Sequence, residues 1–244
     1  MLILTRPQAQ ALEWQQRLER LGVPSVSLPL IAIQNGDGVA ALEAWAQLPS
    51  AALAFFVSPN AASAFFAVPH GAWPANTLAA CVGPGTARSL IEQGVPASLI
   101  VQPPEDAASL DSEHLWPLLA ERDWQGRLAL MLRGEGGRDW LAARLREQGA
   151  ETRDFNLYRR TCPVWNLDDR ERFEEALDER HIWLLSSAEG AANLRQLAPH
   201  TDWSTQRAIA THERIAEAAR GLGFGHVVLT RPDAEAVSEV YRGL

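Results

Sequence analysis

The sequence predicts an α/β protein of two similar lobes, each a parallel open sheet flanked by helices and joined by two crossover segments, and three observations carry that prediction. Short apolar runs alternate with stretches of helical spacing, the signature of βαβ construction. Three such units occur twice in the same order along the chain. Two segments, Leu28-Pro29-Leu30-Ile31-Ala32-Ile33-Gln34-Asn35-Gly36 and Asp154-Phe155-Asn156-Leu157-Tyr158-Arg159-Arg160-Thr161-Cys162-Pro163, read as passages from one lobe to the other. The second begins as the end of a strand, carries one of only two tyrosines, and stops at a proline that cannot donate to a sheet ladder.

In the first unit Leu2 to Thr5 reads as a buried strand and Pro7 suits the first turn of a helix. Ala11, Leu12, Leu18 and Leu21 recur at near-helical intervals, Gly22 stops the helix, and Pro24 to Leu28 follows as a strand. Its second copy is a strand and loop over Arg127 to Gly134, a helix over Trp140 to Leu145, a stop at Gly149 and a strand over Glu151 to Leu157. In the second unit an apolar strand opens onto serine and then a helix, as Leu53-Ala54-Phe55-Phe56-Val57-Ser58-Pro59-Asn60 and as His181-Ile182-Trp183-Leu184-Leu185-Ser186-Ser187-Ala188. The third unit brings a strand to a helix start at Cys81-Val82-Gly83-Pro84-Gly85-Thr86 and at Ala208-Ile209-Ala210-Thr211-His212-Glu213. Ile100 and Val101 end a strand that enters a loop through Glu105 and Asp106, and Ser109 is placed to cap a helix through Leu119. Because a passage follows each copy of the first unit, the lobes are expected to exchange that unit. Residues 1–34 with about 165–244 would form one lobe and about 38–158 the other, with connections over 29–37 and 158–164.

Composition narrows the chemistry. The net charge of −8 and pI near 5.3 argue against a broad nucleic-acid face, which needs basic surface. All 22 basic residues are arginine, which excludes a lysine Schiff base, a pyridoxal phosphate lysine and a Walker-type phosphate lysine. Cys81 and Cys162 lack paired metal spacing, so neither a disulfide framework nor a metal site is expected. The opening Met1-Leu2-Ile3-Leu4-Thr5-Arg6-Pro7 enters a strand at once, which reads as a cytoplasmic protein with no secretory signal and no membrane span. Nine scattered tryptophans read as packing.

Ligands of open parallel sheets collect beyond the carboxyl ends of the strands, where helix N-termini present free N–H groups. The strand ends are Thr5-Arg6, Ser58-Pro59-Asn60, Gly83-Pro84-Gly85-Thr86, Arg133-Gly134-Glu135-Gly136-Gly137, Ser186-Ser187 and Thr211-His212, and all are expected to face one cleft that favours anions; the fourth is only weakly like a phosphate loop, lacking the lysine and the spacing. Each has a plainer reading. The glycine-proline turn is a helix start, Ser58 and Ser186 are caps, His212 is a capping or surface histidine, and Arg6 and Arg231 either grip a carboxylate or bridge to nearby acids. Tyr158 is either a phenol that donates into the cleft or a residue that packs the passage.

Taken together, Leu4-Thr5-Arg6-Pro7, Phe56-Val57-Ser58-Pro59-Asn60-Ala61, Val82-Gly83-Pro84-Gly85-Thr86-Ala87, Arg133-Gly134, Leu157-Tyr158-Arg159 and Leu185-Ser186-Ser187 resemble the uroporphyrinogen-III synthase family over essentially the whole chain. The resemblance implies a cofactor-free lyase. Its substrate, hydroxymethylbilane, loses a terminal hydroxyl, forms an azafulvene and closes with inversion of ring D through a spiro intermediate, giving uroporphyrinogen III. Tyr158 matches the family's proposed proton donor. Substrate-binding roles are implied for Thr5, Arg6, Ser58, Asn60, Gly83, Gly85, Thr86, Arg133, Gly134, Ser186, Ser187 and Thr211. Thr211 is the weaker match, because Thr211-His212-Glu213 lacks the glycine-proline pair. A monomer in transient contact with the preceding pathway enzyme is expected. The alternative is a non-catalytic two-lobed binding protein for a small anionic ligand.

Overall fold

In a computed structural model the chain is described at residues 1–104, 107, 109–137 and 139–244. It forms two compact units, Met1–Ala32 with Thr161–Leu244, and Ile33–Arg160, so the chain passes between them twice.

The first unit holds β1 (Leu2–Leu4), α1 (Gln8–Arg20) and β2 (Ser25–Ser27) at its N-terminal end. The second, contiguous unit follows with β3 (Ala32–Asn35), α2 (Val39–Gln47), β4 (Ala51–Phe56), α3 (Pro59–Phe66), β5 (Leu78–Cys81), α4 (Pro84–Glu92) and β6 (Ile100–Val101). It continues through α5 (Ser112–Leu115), α6 (Pro117–Ala120), β7 (Leu128–Gly134), α7 (Trp140–Glu147) and β8 (Glu151–Thr161). The first unit is then completed by α8 (Leu167–Ala176), β9 (Ile182–Leu185), α9 (Ala188–Leu197), β10 (Arg207–Ala210), α10 (Glu213–Leu222), β11 (His226–Leu229) and α11 (Ala234–Gly243).

The two sheets run β11-β10-β9-β1-β2 and β3-β8-β7-β4-β5-β6. Read from the opposite edge, the second is β6-β5-β4-β7-β8 with β3 added, so the three repeated units take the same places in both sheets. The β1–β2, β1–β9, β9–β10 and β10–β11 pairs of the first sheet are parallel, as are the β4–β5, β4–β7, β5–β6 and β7–β8 pairs of the second. Central strands read as unbroken apolar runs because both faces are covered. In β4 and β7, Ala54, Phe56, Leu130 and Leu132 face one core while Leu53, Phe55, Ala129 and Met131 face the other. In the first unit, Ile3, Trp183, Leu185 and Ala208 alternate in the same way with Leu2, Leu4, Leu184 and Ile209. The tryptophans pack: Trp203 stacks on Phe224 at 4.8 Å and Trp45 on Phe65 at 4.5 Å.

Three details depart from the sequence reading. The expected helix from Ser109 to Leu119 is two short helices; Asp111, not Ser109, caps the first through the His114 N–H at 2.9 Å, and Pro117, which has no N–H, begins the second. The segment from Ile33 is a strand of the second sheet rather than a plain connection, and β8 runs on through Thr161. The cap of α9 is Ser187, not Ser186. The loop expected at Glu105 and Asp106 lies outside the described residues.

Candidate functional site

The second unit brings four of the expected residues together at the carboxyl ends of its strands. β7 and β8 pair in register as far as Arg133↔Asn156, and the next pair is Gly134↔Tyr158, so Leu157 is the extra residue of a bulge. A bulge reverses the in-out alternation that a strand would otherwise keep. Leu157 and Tyr158 are therefore both buried, although they are adjacent. The Tyr158 ring lies across Gly134, where an added Cβ would sit 2.7 Å from Cε2 and Cζ. Its hydroxyl lies 2.9 Å from Ser58 Oγ, and that oxygen also accepts the Ala61 N–H at 3.2 Å as the cap of α3.

Tyr158 and Gly134 line a cavity of about 390 Å³ with Val57, Val82, Asp111 and Arg160. Its wall is mixed in charge, with Arg133 and Arg160 set against Asp111 and Glu135. The Arg133 Nε lies 3.2 Å from Asp154 Oδ1, close enough for ion pairing but not aligned as a hydrogen bond, and Nη1 lies 3.5 Å from Asp139. The Glu135 N–H is committed to the Tyr158 carbonyl at 2.9 Å. That bond ties the start of the loop after Arg133 to the backbone of the tyrosine. Asp111 receives the His114 side chain at 2.6 Å.

The turn at Gly83 lies beside the Ser58 turn, since a Cβ on Gly85 would meet Pro59 at 3.8 Å. Unlike α3, α4 begins with no side-chain cap, Gly83 standing at the cap position and Pro84 following it. Pro84 has no N–H and the Thr86 N–H donates to the Gly83 carbonyl at 3.0 Å, so of this first turn the Gly85 N–H is left for solvent or an anion. Thr86 is buried in that turn and Asn60 is half-buried in the first turn of α3. Cys81 is buried in β5, and burial pushes its thiol up to about 11.

In the first unit, Thr5 is buried and its Oγ1 donates to the Leu184 carbonyl at 2.7 Å, so the hydroxyl ties β1 to β9. The Arg6 guanidinium lies 4.2 Å from the Trp14 ring centroid, and its Nε is buried without a hydrogen-bond partner. Burial, more than the opposing charge of Glu13, sets its pKa, pulling it down to about 10 and leaving it a cation at neutral pH. Ser187 caps α9 through the Gly190 N–H, and Ser186 is half-buried before it. His212 caps α10 through Nδ1, and Glu213 pairs with Arg220 at 3.1 Å. Thr211 precedes that cap and so takes the place of Val82 in the repeat; Ile215 stands where Thr86 does. Arg231 is exposed, 3.8 Å from Asp233.

Asp111 was not singled out in the sequence, whereas Glu135 lay in an expected strand end and Arg160 in the second passage. The signal for Asp111 was Asp-Ser-Glu-His, an acid three residues before a histidine at a helix start.

Fold and site define a class: an α/β protein of two like-ordered parallel sheets that share one exchanged βαβ unit, with a buried tyrosine and an uncapped helix end in one of them. The chain belongs to the uroporphyrinogen-III synthase HemD family, whose model matches residues 13–239. It is 28% identical to the uroporphyrinogen-III synthase of Escherichia coli K12 over 231 residues, covering 91% of this chain and 92% of that one. In fold it is similar to uroporphyrinogen-III synthetase from Helicobacter pylori, with a TM-score of 0.63, 16% identity and coverage of 99% and 98% of the two chains. A mutant uroporphyrinogen III synthase from Thermus thermophilus matches with a TM-score of 0.55, 17% identity and coverage of 100% and 96%.

Proposed function

We propose that the chain is a uroporphyrinogen-III synthase, a cyclising lyase of tetrapyrrole biosynthesis that converts hydroxymethylbilane to uroporphyrinogen III with loss of water and inversion of ring D. The observation that carries the reading is the family match across residues 13–239.

Tyr158 is the proposed proton donor to the departing hydroxyl of the substrate. The packing of its ring against Gly134 and the contact of its hydroxyl with Ser58 beside the cavity support that role. The substrate carries eight carboxylates, for which Arg133, Arg160 and the Gly85 N–H are the proposed partners. Uncatalysed closure joins the chain ends without inversion, so the protein must favour the spiro geometry by restraint. The protein is further proposed to act in the cytoplasm as a monomer, in transient contact with the enzyme that makes this unstable linear substrate.

The test is incubation with freshly prepared hydroxymethylbilane, followed by oxidation and isomer separation. Isomer III in excess over a no-protein control is expected. Isomer I at the control rate rejects catalysis and favours the binding-protein alternative.

A further inference from the structure

We propose that Ser58 is a positioning residue for this reaction: its hydroxyl donates to the Tyr158 oxygen, aims the phenolic proton at the substrate and stabilises the phenolate left behind. The inference rests on the proposed turnover of hydroxymethylbilane and on Tyr158 as its acid.

Three observations carry it. Ser58 Oγ and the Tyr158 hydroxyl are 2.9 Å apart although the residues are 100 positions apart in sequence, on α3's cap and on β8. Ser58 Oγ already accepts the Ala61 N–H, so one lone pair is occupied while its own proton is free to be donated. That cap sits at the positive end of α3, an eight-residue helix, where partial positive charge polarises the Ser58 O–H toward an acceptor. With Ser58 as donor, the phenolic hydrogen does not point at Ser58 and is available to the cavity that Tyr158 lines. The ring is buried and lies across Gly134, so its oxygen has little room to leave this partner.

The step balances as follows. The Tyr158 O–H bond breaks and its proton joins the leaving hydroxyl. The substrate C–O bond breaks with its electron pair staying on oxygen, releasing water. The pyrrole nitrogen lone pair fills the vacated carbon, giving the azafulvene cation, and the phenolate keeps the electrons of its O–H bond. After ring closure through the spiro intermediate, the C–H proton lost as the last pyrrole regains aromaticity returns to the phenolate, so the net change is loss of one water. Between those two proton transfers the phenolate is an anion in a buried site. A donated hydrogen bond to it is stronger than the same bond to the neutral phenol. Ser58 therefore favours the charged state over the ground state, the condition for accelerating the step.

A helix cap needs only an acceptor, whereas this role needs a donor, and the variants separate the two. Ser58→Ala, Ser58→Asp and Ser58→Thr are compared with wild type and Tyr158→Phe for kcat, KM and the ratio of isomers III to I, with thermal unfolding as the check on folding. Ser58→Ala is expected to lower kcat by about 100-fold with KM within about 2-fold, the lower end of the loss for one donor to a developing oxyanion. Ser58→Asp keeps a good cap acceptor and the stability, but when ionised it has no proton to donate and should lose rate as alanine does. Ser58→Thr, which keeps the hydroxyl, should recover most of the loss. Adding Ser58→Ala to Tyr158→Phe should cost nothing further, because the group Ser58 acts through is gone. Full activity in Ser58→Asp, or additive losses in the double variant, overturns the inference while leaving Tyr158 in place. Wild-type activity in Tyr158→Phe overturns both, and wild-type protein that yields isomer I at the control rate overturns the function and this role with it.

Discussion

Replacing Gly134 with alanine should displace the Tyr158 ring while leaving every polar group of the site in the sequence. An added Cβ would stand 2.7 Å from Cε2 and Cζ and 3.1 Å from Cδ2. Carbon atoms rest about 3.5–4.0 Å apart, so ring and backbone must separate by roughly 1 Å. The ring cannot yield freely, being 3% exposed and held by its hydroxyl to Ser58. Overpacking of this kind costs about 1–3 kcal/mol, and at this chain length each kcal/mol lowers Tm by about 2–4 °C. A misplacement of about 1 Å at a catalytic group costs on the order of 10²-fold in rate. The assay is turnover of hydroxymethylbilane with isomer separation, run beside a thermal melt. A protein that melts several degrees lower yet keeps kcat and the isomer ratio would show that the position of this ring does not govern the reaction.

Gly225→Ala should fail more severely, because its Cβ would overlap the backbone carbonyl of Ser204, which cannot swing aside; loss of soluble expression or a Tm drop beyond that of Gly134→Ala is expected. Of the two thiols, half-buried Cys162 should react with a disulfide reagent first and buried Cys81 only as the protein unfolds, read by mass spectrometry. Burial raises the Cys81 thiol from 9.0 to about 11, so the folded state holds that proton more tightly; the resulting stabilisation is present below pH 9 and is lost as pH rises towards 11, visible in alkaline melts of wild type against Cys81→Ala. At Asp111, slight burial opposes ionisation, but hydrogen bonds from the His114 side chain, Ser109 and the His114 N–H outweigh it and bring the carboxyl from 3.8 to about 2. Its contribution is therefore present above pH 4 and lost as pH falls towards 2. Asp111→Ala should cost about 1 kcal/mol through the lost cap and flatten that acid limb in a urea titration.

The sheets were legible because their signal is local. Apolar runs such as Leu128 to Leu132 and Ile182 to Leu185 carry strand length and two-faced burial in themselves, and the repeated order of units disclosed which strands are equivalent. The site was legible only as a set of helix starts. That Ser58 meets Tyr158 follows from a bulge at Leu157, and nothing in the apolar pattern of β8 announces an extra residue, since the passage beyond it is polar. Thr5 was expected to bind substrate because it ends a strand. The structure puts its hydroxyl on a neighbouring strand's carbonyl, a partner 179 positions away that no spacing rule reaches. The place of Thr211 depends on the cap: with His212 as the cap, Thr211 stands one residue before the helix, a register that the sequence left open between a capping and a surface histidine.

The shared order of the two sheets has a consequence for how the polypeptide matures. Residues 33–160 hold all the strands of one sheet except the first residue of β3 and the last of β8, and can close their core as soon as they leave the ribosome. The opening βαβ piece has no such neighbour yet. The β1 edge that will pair with β9 stays unsatisfied until Ile182 to Leu185 are made, which at translation speeds of about 5–20 residues per second is a wait of roughly 9–36 s. In that interval the nascent chain carries a naked apolar strand, Leu2-Ile3-Leu4, beside a finished neighbour, and chaperone demand should concentrate there.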